Sequence, residues 1–430
     1  MAQRAAILGY GTEGESAYRY LAGKGYDLTI HDLDPGKELP KGAKSVLGPD
    51  YLKKLDDYDM VVRSPGIKPW EIETKAVVTS QTGLFFEHCP ARIIGVTGTK
   101  GKGTTSTLIG RILGEAGWRT WVGGNIGKPP LDFLANVRAS HLVILEMSSF
   151  QLMDLPVSPH IAVCLMIAPE HMNWHRGMRE YISAKGNIFW HQQPEDVAIY
   201  DAENEYSTEI AQLSPGKRIP YLAAPGARIE GGRIVADATE ICRTDEVGLL
   251  GPHNLENVCA AVTASWDLIK HNPEPAARAI KSFTGLEHRL ELAGEVSGVR
   301  YYDDSFSTTP ETAIAAIRSF AEPKVVILGG SDKKSDYREL AKVVKSGGLR
   351  QAILIGEMAR TIRAALEAVG YTNFVMGSRS MADIVASARG VAVRGDVVIL
   401  SPGCASFDMF TNYKDRGNQF KAAVGELGTK

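Results

Sequence analysis

Residues 95–105 read GVTGTKGKGTT, with the apolar run RIIGV leading into them and TTSTLIGRILGEAG following. Strand, glycine loop and helix in that order form a phosphate-binding unit, because the unsatisfied N–H groups and dipole of a helix N-terminus favour an anion. A standard phosphate loop places Ser or Thr directly after Gly-Lys, where the hydroxyl reaches Mg²⁺ while the backbone cradles phosphate. Here Gly103 follows Lys102. The hydroxyl is therefore expected from Thr104, one residue further on. The expected phosphate-contacting set is Gly98, Thr99, Lys100, Gly101, Lys102, Gly103, Thr104 and Thr105.

Outward from this loop, apolar strands alternate with helical segments along most of the chain, which predicts an α/β protein built on parallel sheets. A chain of 430 residues exceeds what one core usually serves, since cores stop growing at roughly 250–300 residues. Three domains are expected. Residues 1–90, with strands such as AAIL, DLTIHD and MVVRS, read as a Rossmann-like N-terminal domain. Residues 91–285 read as a central P-loop ATPase-like domain with a mixed sheet, because ARIE-GG-RIVA looks like an antiparallel hairpin with a primed turn. Residues 286–430 repeat strand-turn-helix units (KVVILGGSDKK, QAILIGEMART, DVVILSPGCAS) and read as a C-terminal Rossmann-like parallel sheet.

Composition narrows the function classes. Hydrophobic residues make up 44% and charged residues 23%, and no apolar run approaches the roughly 20 residues of a membrane span. A net charge of −2 supplies no basic footprint for nucleic acid. The N-terminus MAQRAAILGYG runs directly into a strand and lacks the layout of a secretory signal, so a cytoplasmic protein is expected. Five cysteines, odd in number and widely spaced, read as buried thiols rather than a disulfide framework.

Other residues carry chemistry. Gly9-Tyr10-Gly11-Thr12-Glu13-Gly14 follows a strand, and Asp32 ends the next one, a pattern that also suits an NAD-dependent oxidoreductase. A helix N-terminus, however, accepts the phosphate of any nucleotide. Glu146 closes the strand LVILE beside the phosphate loop and is placed for a metal; helix capping is the plainer alternative. The segment CLMIAPEHMNWH offers His171 and His175, an HxxxH pair that on a helix would suit zinc, though no third ligand follows. His171 alternatively faces the same metal and phosphates as Glu146. Lys185 falls on the apolar face marked by Met178, Tyr181, Ile182, Ile188 and Phe189. Burying an unpaired ammonium is costly, so the lysine must pair, snorkel or lose its charge. In the last case it is a nucleophile that adds CO₂ to become a carbamate, an anionic metal ligand.

Taken in order, GVTGTKGKGTT, GGNIG, EMSSFQL, EHMNWH, YISAK, GPHNLEN, EHRLE, DDSFSTTPE, LGGSDKK and CASFDMF resemble the Mur ligase superfamily, ATP-dependent amino-acid ligases of peptidoglycan synthesis, along nearly the whole chain. The resemblance implies ATP and Mg²⁺, a UDP-N-acetylmuramoyl-L-alanine substrate, an incoming amino acid with D-glutamate expected, and a monomer. It places Thr12, Glu13 and Asp32 near the uridine, and Ser64, Gly66 and Asn125 on the rest of that substrate. Lys102 would stabilise the transferred phosphoryl group, and Glu146, His171 and a carbamylated Lys185 would serve the metal, with Thr104. Asn254 and Asn257 would contact adenine, and Arg289 and Asp304 would bring the third domain onto the nucleotide. Thr308, Lys333, Ser406, Phe407 and Tyr413 would surround the amino acid. Two departures stand out. Gly103 replaces the usual Ser or Thr, as in folylpolyglutamate synthetases of the same superfamily, and Phe306 stands where D-glutamate ligases usually carry lysine. Phe306 keeps meso-diaminopimelate and L-lysine open as alternative amino acids.

Overall fold

A computed structural model describes residues 2–249, 251–332 and 335–428. The N-terminal sheet is parallel, with β1 (Arg4–Leu8), β2 (Asp27–Asp32), β3 (Lys44–Leu47), β4 (Met60–Arg63) and β5 (Val77–Ser80) in the order β3-β2-β1-β4-β5. The order reverses between β1 and β4. Glycine turns and helices on this sheet leave the carboxyl ends of β1, β2 and β4 side by side, where open α/β sheets bind ligands.

The second sheet contains β6 (Arg92–Thr97), β7 (Thr120–Gly124), β8 (Leu142–Glu146), β9 (Ile161–Cys164), β10 (Val197–Asp201) and β11 (Lys217–Tyr221), in the order β11-β10-β9-β6-β8-β7. All its pairings are parallel, which corrects the mixed sheet expected from sequence. The antiparallel hairpin exists but lies apart, in a three-stranded sheet of β12 (Arg228–Glu230), β13 (Arg233–Ala236) and β14 (Thr239–Arg243). Its turn residues Gly231 and Gly232 have φ of 56° and 76°, the primed geometry that two glycines permit.

The last sheet is built from β15 (Glu291–Val296), β16 (Val299–Asp303), β17 (Lys324–Gly329), β18 (Leu349–Ile355), β19 (Phe374–Met376) and β20 (Val397–Leu400), in the order β15-β16-β20-β17-β18-β19. It is parallel except at one edge, where β15 runs antiparallel to β16. Ser297 and Gly298 explain the exception: both take positive φ, 53° and 76°, and a two-residue turn of that kind returns the chain as a hairpin.

The chain divides into two compact units. The first runs to Val247 and resumes over Pro252–Ser282; the second takes Gly248–Gly251 and runs from Phe283 onward. The first unit holds both the N-terminal and the second sheet, and one apolar core joins Ile7, Val62 and Phe85 to Val143, Leu152 and Ile188. In the second unit, cores lie on both faces of the sheet, one around Val326, Leu340 and Leu354 and another around Ile327, Ile384 and Phe420. Among the described residues no helix is long and apolar enough to cross a membrane, and all five cysteines are free.

Candidate active site

The site in the first unit begins with strand register. Glu146 of β8 pairs with Val96 of β6, and Thr97 of β6 pairs with Cys164 of β9, so three carboxyl ends stop at one level. The loop leaving β6 there carries Gly98 and Gly101 at φ of 139° and 83°. Neither tolerates a side chain: a Cβ on Gly101 would lie 2.1 Å from Asn257 Oδ1, and one on Gly98 would lie 2.6 Å from Leu165 Cβ. Gly101 then opens the helix Lys102–Glu115, whose first turn faces the loop.

The hydroxyl of Thr99 anchors the loop, donating to Ala168 O at 3.0 Å and accepting from Ala168 N at 2.9 Å, with the Tyr181 hydroxyl 3.1 Å away. Lys102 folds over it and donates to the carbonyls of Gly98 and Thr99 at 3.1 and 2.9 Å. Lys100 pairs with Glu170. Thr105 is buried and its hydroxyl bonds to Asn257 Oδ1 at 3.3 Å, whereas Thr104, one residue earlier, is only half-buried. Asn257 in turn donates from its Nδ2 to Asn254 Oδ1 at 2.9 Å, so both asparagines stand behind the loop.

Lys185 does point inward. It is 1% exposed on the helix Met178–Trp190 and donates to Gly98 O at 2.8 Å, with its ammonium 4.7 Å from the centroid of the Tyr181 ring. Burial first, and then the neighbouring Lys102, pull its pKa down to about 7. A neutral amine is thereby available near neutrality. Glu146 is also buried; its Oε1 accepts from Asn125 Nδ2 at 2.7 Å, and its Oε2 has no hydrogen-bond partner. A buried carboxylate oxygen without a donor beside two lysines and a glycine cradle fits a divalent cation with nucleotide phosphates. The sequence reading assigned Asn125 to the sugar substrate without showing that its side chain is bonded to Glu146.

His171 is exposed by overall surface, sits at φ 59°, and lies tilted against Phe150 with ring centres 4.9 Å apart; partial desolvation of its ring lowers its pKa. His175 is buried, and its two nitrogens lie 2.9 Å from Ser149 Oγ and 3.2 Å from Glu180 Oε1. The two histidines occupy a turn before the helix rather than a helix, so the HxxxH zinc geometry is not formed.

At the carboxyl end of the N-terminal sheet, Gly9 takes φ 81° and Ser64 Oγ donates to its carbonyl at 2.7 Å. Asp32 accepts from the amides of Tyr10 and Asp34 at 2.7 and 2.9 Å, which shapes the turn. Thr12 is exposed at the start of the helix Thr12–Ala22, and Gly66 is exposed beyond β4. Glu13 receives Gln151 Nε2 at 2.7 Å, and burial raises its pKa to about 7. Arg63, which sequence reasoning missed, is buried and reaches from β4 to Asp154 and, at 2.9 Å, to the carbonyl of Phe150. Its only sequence signal was a cation at the end of an apolar strand.

In the second unit Asp304 is buried, and burial raises its pKa to about 7; it accepts from Ser401 Oγ at 2.7 Å and Leu290 N at 3.2 Å, and from Ser307. Arg289 lies on the turn before β15, next to Leu290, whose amide makes that bond to Asp304. Ser406 is buried, Phe407 is strongly exposed and Thr308 and Tyr413 are half-buried. Arg416, also missed, is buried and bonds Ser305 Oγ at 2.9 Å and Cys404 O at 3.2 Å, tying the 305 turn to the 404–406 loop. Lys333 lies outside the described residues.

Two family models match the chain: the Mur ligase middle domain over residues 96–265 and the glutamate ligase domain of Mur ligases over residues 288–404. The UDP-N-acetylmuramoylalanine–D-glutamate ligase of Ruminiclostridium cellulolyticum is 35% identical over 458 residues, covering 99% of this chain and 97% of its own. The protein of the same name from Symbiobacterium thermophilum is 37% identical, with 99% and 98% covered. In fold, the chain is similar to the UDP-N-acetylmuramate–alanine ligase of Thermotoga maritima, with a TM-score of 0.63 at 15% identity and 99% of each chain covered. A MurF ligase from the same organism, solved in complex with ADP, gives 0.60 at 14% identity, covering 99% of this chain and 96% of its own. Family models over most of the sequence and relatives this similar along nearly its whole length decide between the ligase and oxidoreductase readings: the chain belongs to the Mur ligase family, whose members are ATP-dependent ligases that form amide bonds.

Proposed function

We propose that this protein joins D-glutamate to UDP-N-acetylmuramoyl-L-alanine at the expense of ATP, releasing ADP and phosphate, in the cytoplasm and as part of peptidoglycan synthesis. The observation that carries the reading is the convergence of Lys102, Lys185 and the unpartnered carboxylate oxygen of Glu146 on the Gly98–Thr105 loop. Full-length similarity to D-glutamate ligases supports the substrate pair.

In this reading the muramoyl-alanine carboxylate attacks the terminal phosphoryl group of ATP, the bond to ADP breaks, and an acyl phosphate forms. The deprotonated amine of the amino acid then attacks the acyl carbon, and phosphate leaves. Lys102 would neutralise the phosphoryl group in transfer. Glu146, Thr104, His171 and Lys185, the last as a carbamate, would hold Mg²⁺, which when bound supplies charge neutralisation at the phosphates. Asn254 and Asn257 would flank the adenine, with Arg289 and Asp304 contributing from the C-terminal region. Thr12, Glu13, Asp32, Ser64, Gly66 and Asn125 would serve the UDP-linked substrate, and Thr308, Lys333, Ser406, Phe407 and Tyr413 the amino acid. A division of labour among three domains, 1–90, 91–285 and 286–430, and a monomeric working state belong to the same proposal.

The test is phosphate release from ATP with UDP-N-acetylmuramoyl-L-alanine and a panel of D-glutamate, L-glutamate, meso-diaminopimelate and L-lysine. Release dependent on D-glutamate is expected. Release with another amino acid alone would move the specificity, a result that Phe306 makes worth measuring, and no amino-acid-dependent release would reject the ligase reaction.

A further inference from the structure

Phe306 is a large apolar side chain left 39% exposed on the C-terminal unit, directly after the buried run from Tyr302 to Ser305. Its neighbours give the ring a task. The guanidinium carbon of Arg289 stands 3.9 Å from the ring centroid, well inside the roughly 6 Å reach of a cation–π contact. The Tyr413 ring meets Phe306 edge-on, with centroids 5.1 Å apart and planes at 88°, and so restricts where the ring can turn.

The backbone repeats the same connection. The amide of Phe306 donates to the carbonyl of His288 at 3.0 Å, and the amide of Leu290 donates to Asp304 Oδ1 at 3.2 Å. Residues on both sides of Arg289 are thus tied to the 304–306 turn. His288 itself, at φ 63°, is held by Asp303 Oδ2 at 2.7 Å from its Nδ1. These are backbone connections, and the long side chain of Arg289 has several rotatable bonds of its own to restrict. A lysine at 306 would set a second cation against the guanidinium, whereas the face of a phenylalanine ring attracts it.

We propose that Phe306 is a positioning residue for Arg289: its ring face holds the guanidinium in the orientation with which it meets ATP. The proposal rests on the reading of Arg289 as a nucleotide contact. It also separates residue 306 in this chain from direct work on the incoming amino acid.

The experiment is steady-state kinetics of the full chain, varying ATP and D-glutamate separately, for Phe306→Leu, Phe306→Tyr and Arg289→Ala, with thermal midpoints alongside. Leucine keeps an apolar side chain without a ring face; tyrosine keeps the face. Phe306→Leu is expected to raise KM for ATP roughly two- to fivefold, with KM for D-glutamate and the thermal midpoint unchanged, while Phe306→Tyr stays near wild type. A wild-type KM for ATP in Phe306→Leu while Arg289→Ala raises it overturns the proposal and leaves the nucleotide role of Arg289 standing. An effect of Phe306→Leu on D-glutamate alone also overturns it. A wild-type KM for ATP in Arg289→Ala removes its foundation, the nucleotide role itself.

Discussion

Lys185 is the residue in which folding and chemistry oppose each other most directly. Its pKa falls from an ordinary 10.5 to about 7, chiefly through burial. At about 1.4 kcal/mol per unit, that is a cost on the order of 5 kcal/mol to the charged form. Below about pH 7 the folded protein carries a buried ammonium and the full cost applies. Between about 7 and 10.5 only the unfolded chain keeps the proton, so stability rises with pH across that window. Lys185→Met should therefore raise the thermal midpoint over wild type by more at pH 6 than at pH 9 in bicarbonate-free buffer. Equal gains at both values would show that the amine does not titrate there. Turnover should move the other way: Lys185→Ala should be nearly inactive and partly restored by a short carboxylate such as acetate, and full activity without it would end the carbamate reading. The inward direction of Lys185 was legible from helical spacing, because the apolar face passes through it. That its ammonium rests on the carbonyl of Gly98 was not, since residues 98 and 185 meet only through the packing of the helix on the second sheet.

At the scale of the element, the phosphate loop shows how two adjacent threonines come to differ. Helical geometry turns successive residues by about 100°, so only one of a neighbouring pair faces the loop mouth. Thr105 is buried with its hydroxyl on Asn257, while Thr104 stays half-buried on the first turn. Thr105→Ala is expected to lower the thermal midpoint through a lost buried hydrogen bond, about 1 kcal/mol, with a modest effect on turnover. Thr104→Ala is expected to leave the midpoint unchanged and to weaken Mg²⁺-dependent turnover far more, as read from a magnesium titration of phosphate release. Equal losses of turnover from both would assign the hydroxyl to neither alone. Sequence sufficed for the loop's existence, because glycine turns and helix starts act locally. The parallel character of the whole second sheet was hidden by the Gly231-Gly232 hairpin, a true local signal that belongs to a separate sheet. The reverse happened at Ser297-Gly298, where a weaker turn signal makes β15 the antiparallel edge.

At the scale of the whole molecule, the two large parallel sheets of the first compact unit share one core. Buried Arg63, joined to Asp154 and the Phe150 carbonyl, is bound into the region between them. Residues 1–282 expressed alone should fold with a single cooperative thermal transition, because their apolar core is internal to the fragment. The midpoint should rise with Mg-ATP, since a ligand that binds only the folded state stabilises it, while ligation should be absent. A broad, non-cooperative transition would show that the unit depends on the rest of the chain.

What the amino-acid sequence determined by itself was local or periodic: strand, glycine loop and helix at 95–115, the inward face that includes Lys185, the carboxylate closing LVILE, and the ordered motifs that mark the Mur ligase family. These are legible because turn chemistry and side-chain period act over a few residues. Tertiary structure alone decided the partners. Asn125 on Glu146, Asn257 behind Gly101, Arg63 on Asp154 and Arg289 over Phe306 join residues from 17 to 156 positions apart, or place side chains whose rotamers depend on packing. No local propensity encodes such contacts; the first three arise because parallel strands, joined by long crossovers, bring distant residues together, and the last because the antiparallel β15–β16 hairpin sets its two ends side by side.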